Sequence, residues 1–413
     1  MSREILVLGA GMVGVSVAWH LQQRGHQVTL VDRREPGREA SFGNAGLIQR
    51  EAVFPYGFPR DLATLLRVLP NRETDIRYQI SGMLKAAGPL FSYWRHSAPA
   101  RYQQIVPSYA ALISRSLESH AEMIQAAGAE QLIRKTGYID AFRTAKAFET
   151  ESRRAERYIR EFGIELQILD GDALSRLEPD MAPGMVGAIH WTQPWGAVSP
   201  GGLVAAYADA FKASGGQFVQ SELKSLSRQG QGWQAQLADQ TLEAEQVVLA
   251  MGPWSARWLA TQGSSAPLFI KRGYHMHYSA GEGATLNNWL IDAEKGYLLA
   301  PMQAGIRLTS GAELARYDSP PCYKQLEAAE ALARKFFPLG ERLNAKPWMG
   351  GRPCMPDMKP VIGPVPKQAG LWAAFGHGHQ GFTLGPVTGK LLSQMMDGEM
   401  PEVDMTPYRV DRF

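Results

Sequence analysis

The chain has 413 residues, 45% hydrophobic and 20% charged, a globular composition that excludes wholesale disorder, a coiled coil and a collagen-like fibre. Lys and Arg number 43 against 40 Asp and Glu, with no long run of one sign, so nothing argues for a nucleic-acid partner. The two cysteines, Cys322 and Cys354, make neither a disulfide framework nor a zinc cluster and fit a reducing cytoplasm.

Glu4 to Leu8 is a short apolar run of the kind that forms a buried parallel strand. Gly9-Ala10-Gly11-Met12-Val13-Gly14 follows, then a helical pattern with Val17, Ala18 and Leu21 on one face. A second apolar strand, Gln27 to Val31, ends in Asp32. Gly9 permits the tight turn, Gly11 lets backbone approach a pyrophosphate, and Gly14 lets helix and strand pack closely. The helix N-terminus offers free N–H groups to phosphate, and Asp32 stands where an acid bonds ribose hydroxyls. This pattern predicts a dinucleotide. An acid at position 32 disfavours NADP, and the unit alone leaves NAD and FAD open. The same glycine spacing argues that Ile5 to Trp19 is structure and not the core of a signal peptide.

Residues 41–46 form a small-residue loop, and 58–125 read as helical. Strands are expected over Thr136–Phe142 and Met185–Trp191, and a capped helix over Leu203–Ala213. Gln217–Ser227 and Trp233–Ala238 look like a meander, and Gln246–Met251 like another buried strand ending at Gly252. Phe269–Ser279, Gly296–Pro301 and Ile306–Gly311 read as strands, and 323–336 as an amphipathic helix. A Gly/Pro-rich stretch over 350–366 leads to strand Leu371–Phe375, the glycine–histidine loop Gly376–Gly381 and a last helix, Leu384–Met396. No apolar run nears the ~20 residues that span a bilayer. The expected architecture is α/β: a discontinuous Rossmann-like domain from 1–50, 195–265 and 345–413. An α+β domain on a large, mostly antiparallel sheet would come from 51–194 and 266–344.

Several separated motifs together resemble the FAD-dependent D-amino-acid oxidase/dehydrogenase family, most closely its bacterial D-amino-acid dehydrogenases. They are the Gly9-to-Asp32 fingerprint, Ser41-Phe-Gly-Asn-Ala-Gly46, Val247-Val-Leu-Ala-Met-Gly-Pro-Trp-Ser255, Gly351-Arg-Pro-Cys-Met-Pro-Asp357 with Pro360-Val-Ile-Gly363, and Gly376-His-Gly-His-Gln-Gly381. The resemblance implies FAD as cofactor, bound by Gly9, Gly11, Met12, Val13, Gly14, Asp32 and Arg33, by Ser41, Asn44, Ala45 and Gly46, and by Gly252 and Trp254. Arg352, Gly378, His379, Gln380, Gly381, Phe382 and Thr383 complete the expected set. Cys354 does not fall where the family places a flavin thioether once Pro356-Asp357 are aligned, so the FAD is expected to be non-covalent.

The implied reaction oxidises the C–N bond of a D-amino acid or imino acid by hydride transfer to flavin N5, giving an imine and then an oxo acid. The substrate carboxylate calls for an Arg fork. Arg352 and Arg272 are the candidates, with Lys271 able to exchange roles with Arg272 because adjacent strand residues face opposite ways. Tyr297 is the expected hydroxyl partner, with Tyr274 and Tyr56 as weaker choices. His275 and His277 read as sheet histidines and no metal site is expected. The leucines, aromatics and basic residues of 54–110 suggest peripheral contact with the inner face of the plasma membrane. The electron acceptor would then be a quinone or electron-transfer protein, otherwise O2. Two other readings stand beside this one: a partner-dependent flavin subunit of a (hydroxy)proline- or sarcosine-type dehydrogenase, and an NAD-dependent dehydrogenase.

Overall fold

A computed structural model describes residues 2–281 and 283–413. Glu4–Leu8, Met12–Gln23 and Gln27–Asp32 form the expected strand, helix and strand. They seed a six-stranded sheet in the order Gln217–Gln220, Gln27–Asp32, Glu4–Leu8, Gln246–Leu249, Leu371–Phe375, Val361–Pro364. The first five run parallel and the last is antiparallel. The parallel strands therefore end on one edge, where Gly9, Asp32, Met251 and Gly376 begin the loops. Brought together at the carboxyl edge of an open sheet, such loops make a ligand crevice.

Close packing sets this edge. Gly9 has φ +110°, and a Cβ there would lie 2.5 Å from the Ala250 carbonyl oxygen. A Cβ on Gly14 would lie 1.7 Å from the Gly9 oxygen, so helix Met12–Gln23 can dock only on a glycine.

The second sheet has eleven strands and is mostly antiparallel. Its long strand Phe269–Ala280 pairs on one side with Gly305–Thr309 and Ala312–Leu314, and on the other with Trp348–Cys354 and Leu339–Arg342. Trp348–Cys354 thus lies in this sheet, so the return to the six-stranded sheet comes after Cys354 and not at residue 345. Strand alternation divides the eleven-stranded sheet into two faces. Tyr274, Met276, Tyr278, Tyr297 and Leu299 pack with Leu326, Ala329 and Phe336 of helix Lys324–Phe336 on the outer face. Lys271, His275, Thr309, Leu298, Ile291 and Asp140 share the inner face by register.

Two expectations about elements change. The meander splits: Gln217–Gln220 joins the parallel sheet, while Leu223–Gln229, Gly232–Leu237 and Thr241–Ala244 form their own three-stranded sheet. The helical stretch 58–125 is broken into Leu62–Val68, Ile80–Lys85, Ala87–His96, Pro99–Ile113 and Ser116–Ala126, with strand Ile76–Tyr78 between the first two. Pro70 and the left-handed Asn71 (φ 57°) stop the first helix.

Gly14→Ala is expected to lower stability by about 2–4 kcal/mol, because backbone and not a flexible side chain must move. Urea unfolding against the parent protein checks this, and an unchanged midpoint would contradict the close packing.

Candidate functional site

A cavity of about 1780 Å³ lies between the carboxyl edge of the parallel sheet and the inner face of the large one. At one end it is walled by Gly9, Gly11, Met12 and Val13 of the first turn, and by Asp32 and Arg33. Asp32 accepts the Ala10 amide (2.7 Å) and the Arg34 amide (3.0 Å), and burial raises its carboxyl above the ordinary range. The Arg33 guanidinium lies 4.4 Å from the Trp254 ring centroid and pairs with Glu39 at 2.6 Å. Gly252, at φ +52°, has nothing within 4 Å of where a Cβ would stand, leaving its backbone open to a ligand.

Ser41, Asn44 and Ala45 line the middle. Ser41 Oγ accepts the Met12 amide at 2.9 Å, and Asn44 Oδ1 accepts the Gly46 amide at 2.7 Å. Arg307, on the large sheet, donates to the carbonyls of Phe42 (3.2 Å) and Asn44 and to His277 Nε2 (3.1 Å), tying this loop to the opposite wall. Gly43 takes the Trp348 ring, whose nearest atom would lie 1.8 Å from a Cβ. Neither Arg307 nor Trp348 stood out in the sequence; both belong to strands whose inner face only the register reveals.

At the other end are Gly378, His379, Gly381 and Phe382, with Arg352 and Lys271. Four expected cofactor residues stand behind the wall and not in it. Gly14 and Gly46 serve close packing, a Cβ on Gly46 lying 2.3 Å from the Ala197 oxygen. Gln380 donates to Gln49 Oε1 (2.8 Å), and Thr383 Oγ1 accepts the Gln49 amide (3.2 Å). These last two brace the segment after the Ser41–Gly46 loop.

Lys271 and Arg352 are directly opposed across the pair Phe269–Ala280 and Trp348–Cys354, so their side chains share the inner face. Arg352 donates to the Gly311 carbonyl at 3.2 Å, and Lys271 Nζ to Tyr93 Oη at 2.9 Å. Among the described residues neither has a carboxylate within ion-pair distance, and burial lowers the Arg352 pKa. Tyr56 packs against His379 with centroids 5.0 Å apart and the rings tilted by 45°, and it lines the same end.

Arg272 and Tyr297 do not join them. Arg272 is fully buried on the outer face, pairs with Glu313 at 2.7 Å, and gives its remaining donors to the carbonyls of Arg316, Ser319 and Pro320. Every N–H it could offer a substrate is taken, and Lys271 holds the inner position. Tyr297 borders the cavity, but its ring, 1% exposed, packs on the outer face against Phe336. Tyr274 likewise donates to Glu313 there. Strand parity, which the sequence states without saying which parity faces inward, decides all three. His275 is stacked on Trp348 (5.0 Å) and His277 Nδ1 meets Asn344 Oδ1 (3.1 Å). Cys354 is buried, and burial raises its thiol pKa.

The family model for FAD dependent oxidoreductases (DAO) matches residues 4–395. The chain belongs to that family. It is an FAD-dependent oxidoreductase. It is 28% identical to a D-amino-acid oxidase of Bradyrhizobium diazoefficiens over 100% of this chain and 99% of the relative. It is also 28% identical to a D-amino acid dehydrogenase of Cereibacter sphaeroides, over 99% and 95%. The glycine oxidase structure from Geobacillus kaustophilus superposes with TM-score 0.76 at 21% identity, covering 100% of this chain and 99% of that one, which shows the shared fold. The cavity fits FAD: open glycine backbone and an acid at one end, a guanidinium with no carboxylate partner among the described residues at the other, and room between for a long cofactor.

Arg272→Met leaves Glu313 buried without its partner and is expected to cost about 3–5 kcal/mol. Denaturant unfolding of the purified holoprotein measures this. Protein that stays folded should keep its flavin absorbance, since Arg272 does not line the cavity.

Proposed function

We propose that the enzyme oxidises the C–N bond of a D-amino acid or imino acid, releasing an imine that water hydrolyses to the oxo acid where its structure allows. FAD would be held by the Gly9–Val13 turn, Asp32, the Ser41–Ala45 loop, Gly252, Trp254 and the Gly378–Phe382 loop, without a covalent bond. Bound there, FAD supplies a two-electron hydride acceptor at N5. The chain's own residues position and polarise. Arg352 and Lys271 grip the carboxylate, which fixes the direction of the Cα–H bond. The same two cations disfavour an ammonium beside them and so favour the neutral amine that oxidation requires. Helix Gly381–Met396 points its positive end at the cavity and stabilises negative charge developing there. The D-configuration is supported by the two relatives, a D-amino-acid oxidase and a D-amino acid dehydrogenase.

The observation that carries this reading is Arg352: a half-buried guanidinium in the cofactor cavity that pairs with no carboxylate among the described residues. Flavin absorbance near about 450 nm is expected to bleach anaerobically with D-amino or imino acids and not with their L-forms. Arg352→Leu should raise the substrate concentration for half-bleaching by roughly a hundredfold or more. Bleaching by no amino or imino acid would refute the reading, and unchanged affinity in Arg352→Leu would refute the anchor.

A second feature bears on the electron acceptor. Leu62 (69% exposed), Leu66, Leu69 (66%), Ile80, Leu84 and Phe91 turn outward around the segment that covers the cavity, and Leu65, Val68 and Leu69 also line it. Residues 54–110 hold seven basic and three acidic side chains. Apolar side chains rimmed by basic charge suit an anionic bilayer, and a lipid-dissolved quinone could then reach the cavity. No described helix is long and apolar enough to cross a membrane, so the contact would be peripheral. Cosedimentation with vesicles containing phosphatidylglycerol is expected, and Leu66→Asp with Leu69→Asp should cut the bound fraction about tenfold. Equal binding to neutral vesicles, or by the double variant, would rule this contact out.

A further inference from the structure

One acid in the cavity has no part in the oxidation as described. Asp140, in strand Tyr138–Phe142, faces inward on the same sheet face as Lys271 and borders the cavity. Its Oδ2 accepts the Trp191 indole N–H at 2.8 Å, and no described residue donates to Oδ1 or pairs with the carboxylate. Burial pushes its pKa up to about 7.

A second carboxyl stands directly behind the wall. Glu51 is 3% exposed. Its Oε1 accepts from Gln49 Nε2 (2.7 Å) and Tyr138 Oη (3.1 Å), both belonging to cavity-lining residues, while its Oε2 is buried with no partner. Tyr56 lines the same cavity, and its hydroxyl is near enough to Asp140, Glu51 and Arg352 for each to act on it.

The substrate end is therefore bipolar: among the described residues, Lys271 and Arg352 at one side pair with no anion, and Asp140 and Glu51 at the other pair with no cation, although Arg154 also lines the cavity. Each is costly to bury alone, and a single ligand with an acid at one end and a donor at the other satisfies both. We infer that the preferred substrates carry a hydrogen-bond donor on the side chain, an ammonium, guanidinium or hydroxyl, and that Asp140 receives it. This rests on the proposed reading that Arg352 holds the carboxylate.

The test is anaerobic flavin reduction by matched pairs. D-lysine and D-arginine against D-norleucine probe a cationic donor; 4-hydroxy-D-proline against D-proline probes a hydroxyl. The pair with the larger ratio identifies the donor. In at least one pair the donor-bearing member is expected to have a reduction rate per unit concentration about 10–100-fold higher. Asp140→Asn, which keeps an acceptor for Trp191, should collapse that ratio by about tenfold or more, and Asp140→Glu should restore part of it. No preference in either pair, or a ratio unchanged in Asp140→Asn with FAD still bound, would overturn the inference while leaving the oxidation reading intact. Failure of every amino and imino acid with the unmodified enzyme would mark the oxidation reading itself as wrong.

Discussion

Lys271 and Arg352 face each other across one antiparallel strand pair, and neither meets a carboxylate among the described residues. Holding two half-buried cations side by side without an anion is costly, and a ligand that brings negative charge relieves it. The rest of the site follows from that constraint. The large sheet must present the pair on its inner face, the parallel sheet must bring its loops against that face, and the space between must exclude enough water for the charges to act strongly.

Contact between the two sheets is made by small residues and one large cation. Gly43 admits the Trp348 ring, and Arg307 reaches from the large sheet to the carbonyls of Phe42 and Asn44. The Ser41–Gly46 loop is thereby fixed from both sides: by the Met12 amide on the dinucleotide side and by Arg307 on the side of the large sheet. A cofactor lying along this loop would be aligned with both halves of the cavity at once, a preorganisation that neither sheet could supply alone.

Much of this was legible in the residues. The βαβ fingerprint places Gly9, Gly11 and Asp32 at the edge of the parallel sheet because its chemistry is local: a turn, a helix end and an acid within one short unit. Arg352 was legible for a different reason, since it sits in a Gly-Arg-Pro run that resembles a family motif. Arg272 and Tyr297 misled because a strand's two faces are chemically alike until their neighbours are known. Ile270-Lys-Arg-Gly-Tyr274 holds a cation on each parity, and only pairing with Gly351 and Glu313 turns Arg272 outward. Thr383 and Gln380 were misplaced by one layer, because a loop motif does not say which of its side chains face the ligand and which brace the backbone beneath it.

The histidines near the site sharpen the electrostatic picture. Burial holds His377 at about 3, His277 at about 4 and His275 at about 2, the last two further lowered by Arg307. These rings are neutral at physiological pH, and Arg352, Lys271 and Arg154 are among the cations that line the cavity. The groups left to titrate near neutrality are Glu51 and Asp140, both pushed up to about 7 mainly by burial. Each carboxyl has a higher pKa folded than unfolded, so the folded state holds a proton that the unfolded chain has already released. Their contribution to stability is fully present below their ordinary values of 4.5 and 3.8 and is lost as pH rises through about 7. A ligand that brings a donor to Asp140 acts in the opposite sense, favouring the ionised carboxylate. The acidic end is therefore least costly to the empty protein when protonated, and under the proposed reading it would serve a donor-bearing substrate best when charged, the balance expected of a group kept for binding and not for the stability of the fold.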